Sequence, residues 1–171
     1  RGRRAAKAVD GRVMERYQWL DRTRLAAAVV PGATLAFHYG AARLPEAMTR
    51  NGRAYTLHHD QTGSLRLVAD ESGDAVKEVV YDAFGNVLED TNPSLRIPLG
   101  FAGGLHDPDT GFVRFGFRDY DPDTGRFTAP DPIGYAGGDT DLYGYCLDDP
   151  VNLVDPRSEE HTSELQSLSH I

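Results

Sequence analysis

The chain has 171 residues, 40% of them hydrophobic, with 26 Asp and Glu against 18 Lys and Arg for a formal net charge of −8. That length and apolar share suffice for one ordinary core, and no apolar run is long enough for a membrane span or a secretory signal. Residues 1–24 hold eight Arg and Lys against three Asp and Glu, so the rest is strongly acidic; it would repel a phosphate backbone, which argues against a nucleic-acid partner. The sequence begins on Arg1 rather than Met and reads as a fragment; its single cysteine, Cys146, cannot form an internal disulfide and reads as a small buried hydrophobe.

Along the chain, short runs of β-branched and aromatic residues recur between glycine-containing turns, whereas amphipathic helical periodicity is hard to find. The pattern predicts strands over 13–20, 25–30, 34–39, 54–59, 65–69 and 76–81, an all-β antiparallel hairpin meander. The turns between them include Pro31-Gly32, Asn51-Gly52, Asp60-Gln61-Thr62-Gly63, Asp70-Glu71-Ser72-Gly73 and Asp82-Ala83-Phe84-Gly85. In the last three an acidic first residue can bond the turn backbone while Gly takes positive φ. One helical rival is Leu25-Ala26-Ala27-Ala28, which Val29-Val30-Pro31-Gly32 would end at once. His58 and His59 are adjacent, face opposite sides of a strand and read as turn-entry residues rather than metal ligands.

Further on, Asp-Pro-Asp-Thr-Gly stands at 107–111 and again at 121–125. The two turns frame a predicted strand over 112–120, with Val113, Phe115 and Phe117 on one face and Arg114 and Arg118 on the other. Asp109-Thr110-Gly111 and Asp123-Thr124-Gly125 spell the D-T-G of pepsin-like proteases but follow Asp-Pro inside tight turns, without the apolar strand such a motif needs, so they read as hairpin residues. The later ligands and glycine of a calcium loop are missing, and no cofactor or metal is expected.

From Tyr81 onward these pieces form an ordered series. Tyr81-Asp82-Ala83-Phe84-Gly85-Asn86 looks like a YD unit, and His59-Asp60-Gln61-Thr62-Gly63-Ser64 resembles the turn that precedes a YD core. Arg118-Asp119-Tyr120-Asp121-Pro122-Asp123-Thr124-Gly125-Arg126-Phe127, Pro130-Asp131-Pro132-Ile133-Gly134, Leu142-Tyr143-Gly144-Tyr145 and Asp149-Pro150-Val151-Asn152-Leu153-Val154-Asp155-Pro156 follow in order. The series resembles the Rhs repeat-associated core of the Rhs/YD-repeat family. The resemblance implies YD-repeat shell strands over 1–80, the core over 81–156, and a segment of a β-cocoon shell with its C-terminal plug. It further implies an aspartyl-type self-protease using Asp131, Asp155 and Arg118, in which two neighbouring carboxylates divide acid and base roles and the guanidinium orients them.

The implied partners are the polypeptide's own C-terminal toxin domain, the remainder of the Rhs shell, and secretion or Tc-toxin delivery components, with a secreted or cell-surface destination. An alternative is a cell-surface adhesive or carbohydrate-binding YD-repeat protein. The match breaks after Asp155-Pro156: where the family has x-Gly-Leu, this chain reads Arg157-Ser158-Glu159. Residues 157–167 resemble the in-frame translation of a sequencing adapter, so residues 157–171 are expected to have no evolved function. A slice of a shell is also expected to leave sheet edges unpaired.

Overall fold

In the computed structural model of the chain, which describes residues 3–132, 141–154 and 166–167, nine strands pair antiparallel in sequence order. They are β1 (Ala6–Val9), β2 (Arg12–Trp19), β3 (Leu25–Val30), β4 (Ala33–His38), β5 (Ala47–Arg50), β6 (Arg53–His59), β7 (Leu65–Ala69), β8 (Ala75–Tyr81) and β9 (Val87–Asp90). Six of the nine coincide with predicted strands to within one residue at each end. β1, β5 and β9 are additional, each only four residues long. Leu25-Ala26-Ala27-Ala28 is strand: Leu25 and Ala28 are buried against the core, and that packing overrides a weak helical preference.

One face of the sheet carries the core. Register sets Tyr17 opposite Ala28, Ala28 opposite Leu35, Phe37 opposite Met48 and Leu57 opposite Val68, so these side chains form apolar rows across the strands. Leu95, Leu99 and Leu105 pack over them from the segment that follows β9. Three turns repeat one device. Asp60, Asp70 and Asp82 each accept, through Oδ1, the N–H groups two and four residues on. Gly63, Gly73 and Gly85 close those turns at φ +90°, +86° and +95°, as the acidic-turn pattern predicts.

A second sheet of shorter strands follows, in the order β10 (Leu105–His106), β11 (Val113–Phe115), β12 (Arg118–Asp121) and β13 (Arg126–Phe127). The Asp107 and Asp121 turns connect β10 to β11 and β12 to β13, each with its Gly N–H donating to the first Asp carbonyl. The predicted single strand over 112–120 is instead a hairpin. Gly116 at φ +47° reverses the chain, Phe115 pairs with Arg118, and Phe117 lies 40% exposed at the turn. A glycine with positive φ at the first central position is what a two-residue type II′ hairpin requires. β14 (Leu153–Val154) pairs with β15 (Gln166–Ser167).

Two kinds of contact join the sheets. The Leu65 N–H donates to Gly100 O, and the Ala102 N–H to Ser64 Oγ. Around them runs an ionic seam: Lys7 of β1 meets Asp107 and Asp109, Arg4 meets Asp107 and Asp119, and Arg96 bridges Glu15 and Asp109. The basic N-terminal stretch is thus partly occupied by the acidic body. Among the described residues no helix is long and apolar enough to cross a membrane.

Candidate functional site

The hairpin turn decides where Arg118 goes. Standing opposite Phe115 and two residues before Tyr120, its side chain points with theirs into the interior, and Arg118 is only 3% exposed. The cluster around it is aromatic. Tyr120 and Tyr145 have centroids 4.6 Å apart, Phe115 stacks on Tyr145 at 5.4 Å, and Phe101 and Phe127 close the group. Tyr120 donates its hydroxyl to Phe84 O at 2.9 Å, and burial pushes its phenol pKa upward, so the ring stays neutral.

A guanidinium in such surroundings must recover its lost hydration locally. Arg118 Nη2 lies 2.9 Å from Asp131 Oδ2, and Nη1 donates to Leu142 O at 3.3 Å. Its Cζ is 3.6 Å from the Phe127 ring centroid, a cation–π contact of the stronger, desolvated kind. Asp131 is 9% exposed, and its own N–H donates to the same Leu142 carbonyl at 2.8 Å. One carbonyl therefore fixes both partners, while Phe127 N–H donating to Tyr143 O at 2.9 Å aligns the neighbouring backbone. The result is a charged pair shielded from water and locked by backbone, a setting in which a carboxylate can be held in one orientation for acid–base work.

Of the three residues predicted to act together, the structure pairs Arg118 with Asp131, and Asp155 lies outside the described residues. Asp149, the first residue of the final motif, accepts from the Asn152 amide at 2.9 Å. Asp109 and Asp123 sit in turns, Asp109 exposed and ion-paired with Lys7 and Arg96. His58 is exposed beside the Thr56 hydroxyl, whereas His59 faces the core side and burial pushes its pKa down to about 4. Cys146 is fully buried against the aromatic cluster, as expected for a small hydrophobe.

Sequence reasoning missed Phe127 and the Leu142 carbonyl. A signal existed for the first: the Asp121 turn folds Phe127 back opposite Tyr120, beside the strand that carries Arg118. None existed for the second, since a main-chain carbonyl leaves no mark on residue type.

The family model of the Teneurin YD-shell matches residues 31–147, a stretch that holds β4 to β9 of the first sheet, the whole second sheet and the Arg118–Asp131 pair. Teneurin-3 of Danio rerio is 34% identical over 109 residues, covering 61% of this chain and 4% of that protein. Double-stranded DNA deaminase toxin A of Burkholderia cenocepacia is 40% identical over 121 residues, covering 68% of this chain and 8% of that protein. The crystal structure of TcdB2-TccC3-Cdc42 shares the fold with a TM-score of 0.69 at 22% identity, over 91% of this chain and 9% of that one. The chain thus spans less than a tenth of each of these relatives.

Proposed function

Because this chain belongs to the Teneurin YD-shell family, we propose that it is the wall and closing end of a β-cocoon that encloses a C-terminal toxin or effector carried by the same polypeptide. The observation that carries the reading is the family match over 31–147, which takes in β4 to β9 of the meander, the second sheet and the junction between them. The likeness to a bacterial toxin over 68% of the chain supports a toxin as the enclosed element. In the full-length polypeptide, the region after the shell should resist trypsin under native conditions and become sensitive once the shell is unfolded by urea. Equal digestion in both conditions would overturn the enclosing role.

The finer assignment is self-cleavage after the Asp155-Pro156 element. Asp131 and Asp155 form the carboxylate pair, one taking a proton from the attacking water and the other giving a proton to the departing nitrogen, with Arg118 orienting Asp131. The buried Arg118–Asp131 pair at 2.9 Å supports this reading. Because Ser158 and Glu159 stand where Gly and Leu are expected, this chain itself should remain uncut. In an intact relative that carries the Gly-Leu junction, changing the aspartate that matches Asp131 to Asn should leave one full-length band on a denaturing gel. Unchanged cleavage would remove that aspartate from the mechanism.

A further inference from the structure

We infer that the end of the sheet near the β5–β6 turn binds a single carboxylate carried on an apolar body, held by Arg50 and Arg53. The inference stands apart from the enclosing role and from the Arg118–Asp131 pair. Arg50 and Arg53 are direct cross-strand partners, joined by Asn51 and Gly52 at φ +49° and +85°. Two positive φ values in succession make the tight hairpin turn that holds strands in register. Asn51 pins that turn to its neighbour: its side chain accepts the Thr34 N–H and donates to Gly32 O. The two arginines therefore stand directly opposite each other across the hairpin, a cross-strand pairing of like charges that disfavours the folded sheet.

Among the described residues no carboxylate forms an ion pair with either arginine. Arg4, Arg96, Arg114 and Arg118 each pair with a carboxylate. Among the described residues, Arg50 and Arg53 have no ion pair or side-chain hydrogen bond, and Arg50 Nε is buried without a partner. The carboxylates nearby accept from backbone: Glu71 accepts the Ala54 N–H of β6 at 3.0 Å, and Asp70 accepts the Ser72 and Asp74 N–H groups of its own turn.

Both arginines line a cavity of about 610 Å³, within the size range of small-molecule sites. Its remaining walls select the ligand. Tyr55, Val76 and Leu95 give it an apolar side continuous with the core, suited to an aromatic or aliphatic body. Asp70 and Glu71 also line the cavity, so a doubly charged anion would face two acidic residues where a singly charged one meets the guanidinium forks. A carboxylate on an apolar body, whether a free acid or the acidic end of a peptide, meets both conditions.

Calorimetric titration of the whole chain with benzoate, its neutral isostere benzamide, and inorganic phosphate tests the site. Benzoate should bind saturably, with benzamide and phosphate each about tenfold weaker or more, since only benzoate has both the single charge and the ring. Arg53→Gln, at an exposed position that leaves the core untouched, should weaken benzoate by about tenfold while the far-ultraviolet circular dichroism stays the same. Three results would each overturn the site: no saturable benzoate binding up to about 10 mM, benzamide binding as well as benzoate, or Arg53→Gln binding as the parent chain does. Phosphate binding as tightly as benzoate at about pH 8.5, where phosphate is doubly charged, would overturn the single-charge selectivity that defines the proposal.

Discussion

The two sheets solve the same problem by different means. Strands of the first run to eight residues and bury mostly aliphatic side chains on one face, with Tyr17 and Phe37 among them, so repeated ladders and alternate burial hold it together. Strands of the second have two to four residues and cannot rely on ladder length. Its stability rests instead on side chains: rings from Phe101, Phe115, Tyr120, Phe127 and Tyr145, and a buried guanidinium pinned between Asp131, Leu142 O and Phe127. A regular sheet spreads its stability over many small terms; a compressed one concentrates it in few large ones.

The sharpest way to break that contrast is to remove one of the large terms. Arg118→Met should cost about 3–5 kcal/mol in urea unfolding, because it leaves Asp131 as a buried charge without its partner. Adding Asp131→Leu should restore part of the loss, since two apolar groups of similar shape demand no compensation. If the double variant is no more stable than the single one, the effect is lost packing rather than an orphaned charge.

The repeated acidic turn offers a finer comparison, since one copy stands alone and another touches the second sheet. A Cβ on Gly73 would meet nothing within 4 Å, whereas on Gly85 it would lie 2.5 Å from Phe101 Cγ. Gly73→Ala should therefore cost about 1 kcal/mol, the penalty of a left-handed conformation. Gly85→Ala should cost about 2–4 kcal/mol, because overpacking against an aromatic ring adds to that penalty. Equal effects in thermal or urea unfolding would mean that the two sheets are less tightly joined at Phe101 than the geometry requires.

His59 tests the junction by titration. Burial pushes its imidazole down to about 4, with Asp60 opposing and Arg43 reinforcing that shift. Below about pH 6.5 the unfolded chain takes up a proton that the folded chain holds off, so this contribution is full above pH 6.5 and is lost as pH falls through about 4. The loss should be on the order of 2 kcal/mol, and His59→Asn should flatten the stability profile over that window. An unchanged slope in the variant would place the imidazole in contact with solvent in the folded state.

The same contrast explains what could be read before any fold was known. The first sheet was legible because period-two alternation and Asp-x-x-Gly turns repeat over strands long enough to show them; β1, β5 and β9 escaped because four residues give too few alternations to count. Arg118 and Asp131 were found through motif order, and their pairing is a tertiary fact that residue type cannot express. The misread segment, 112–120, has the right alternation for one strand, and a single glycine conformation overrides it: Gly116 at φ +47° turns Phe117 out and Arg118 in. Phe117→Ser is therefore expected to change stability by less than about 0.5 kcal/mol, the range for exposed positions. Phe115→Ala, two residues away and 2% exposed, should cost about 3–5 kcal/mol. A large loss from Phe117→Ser would restore the single-strand reading, in which Arg118 faces away from the packed side and the Arg118–Asp131 pair could not form there.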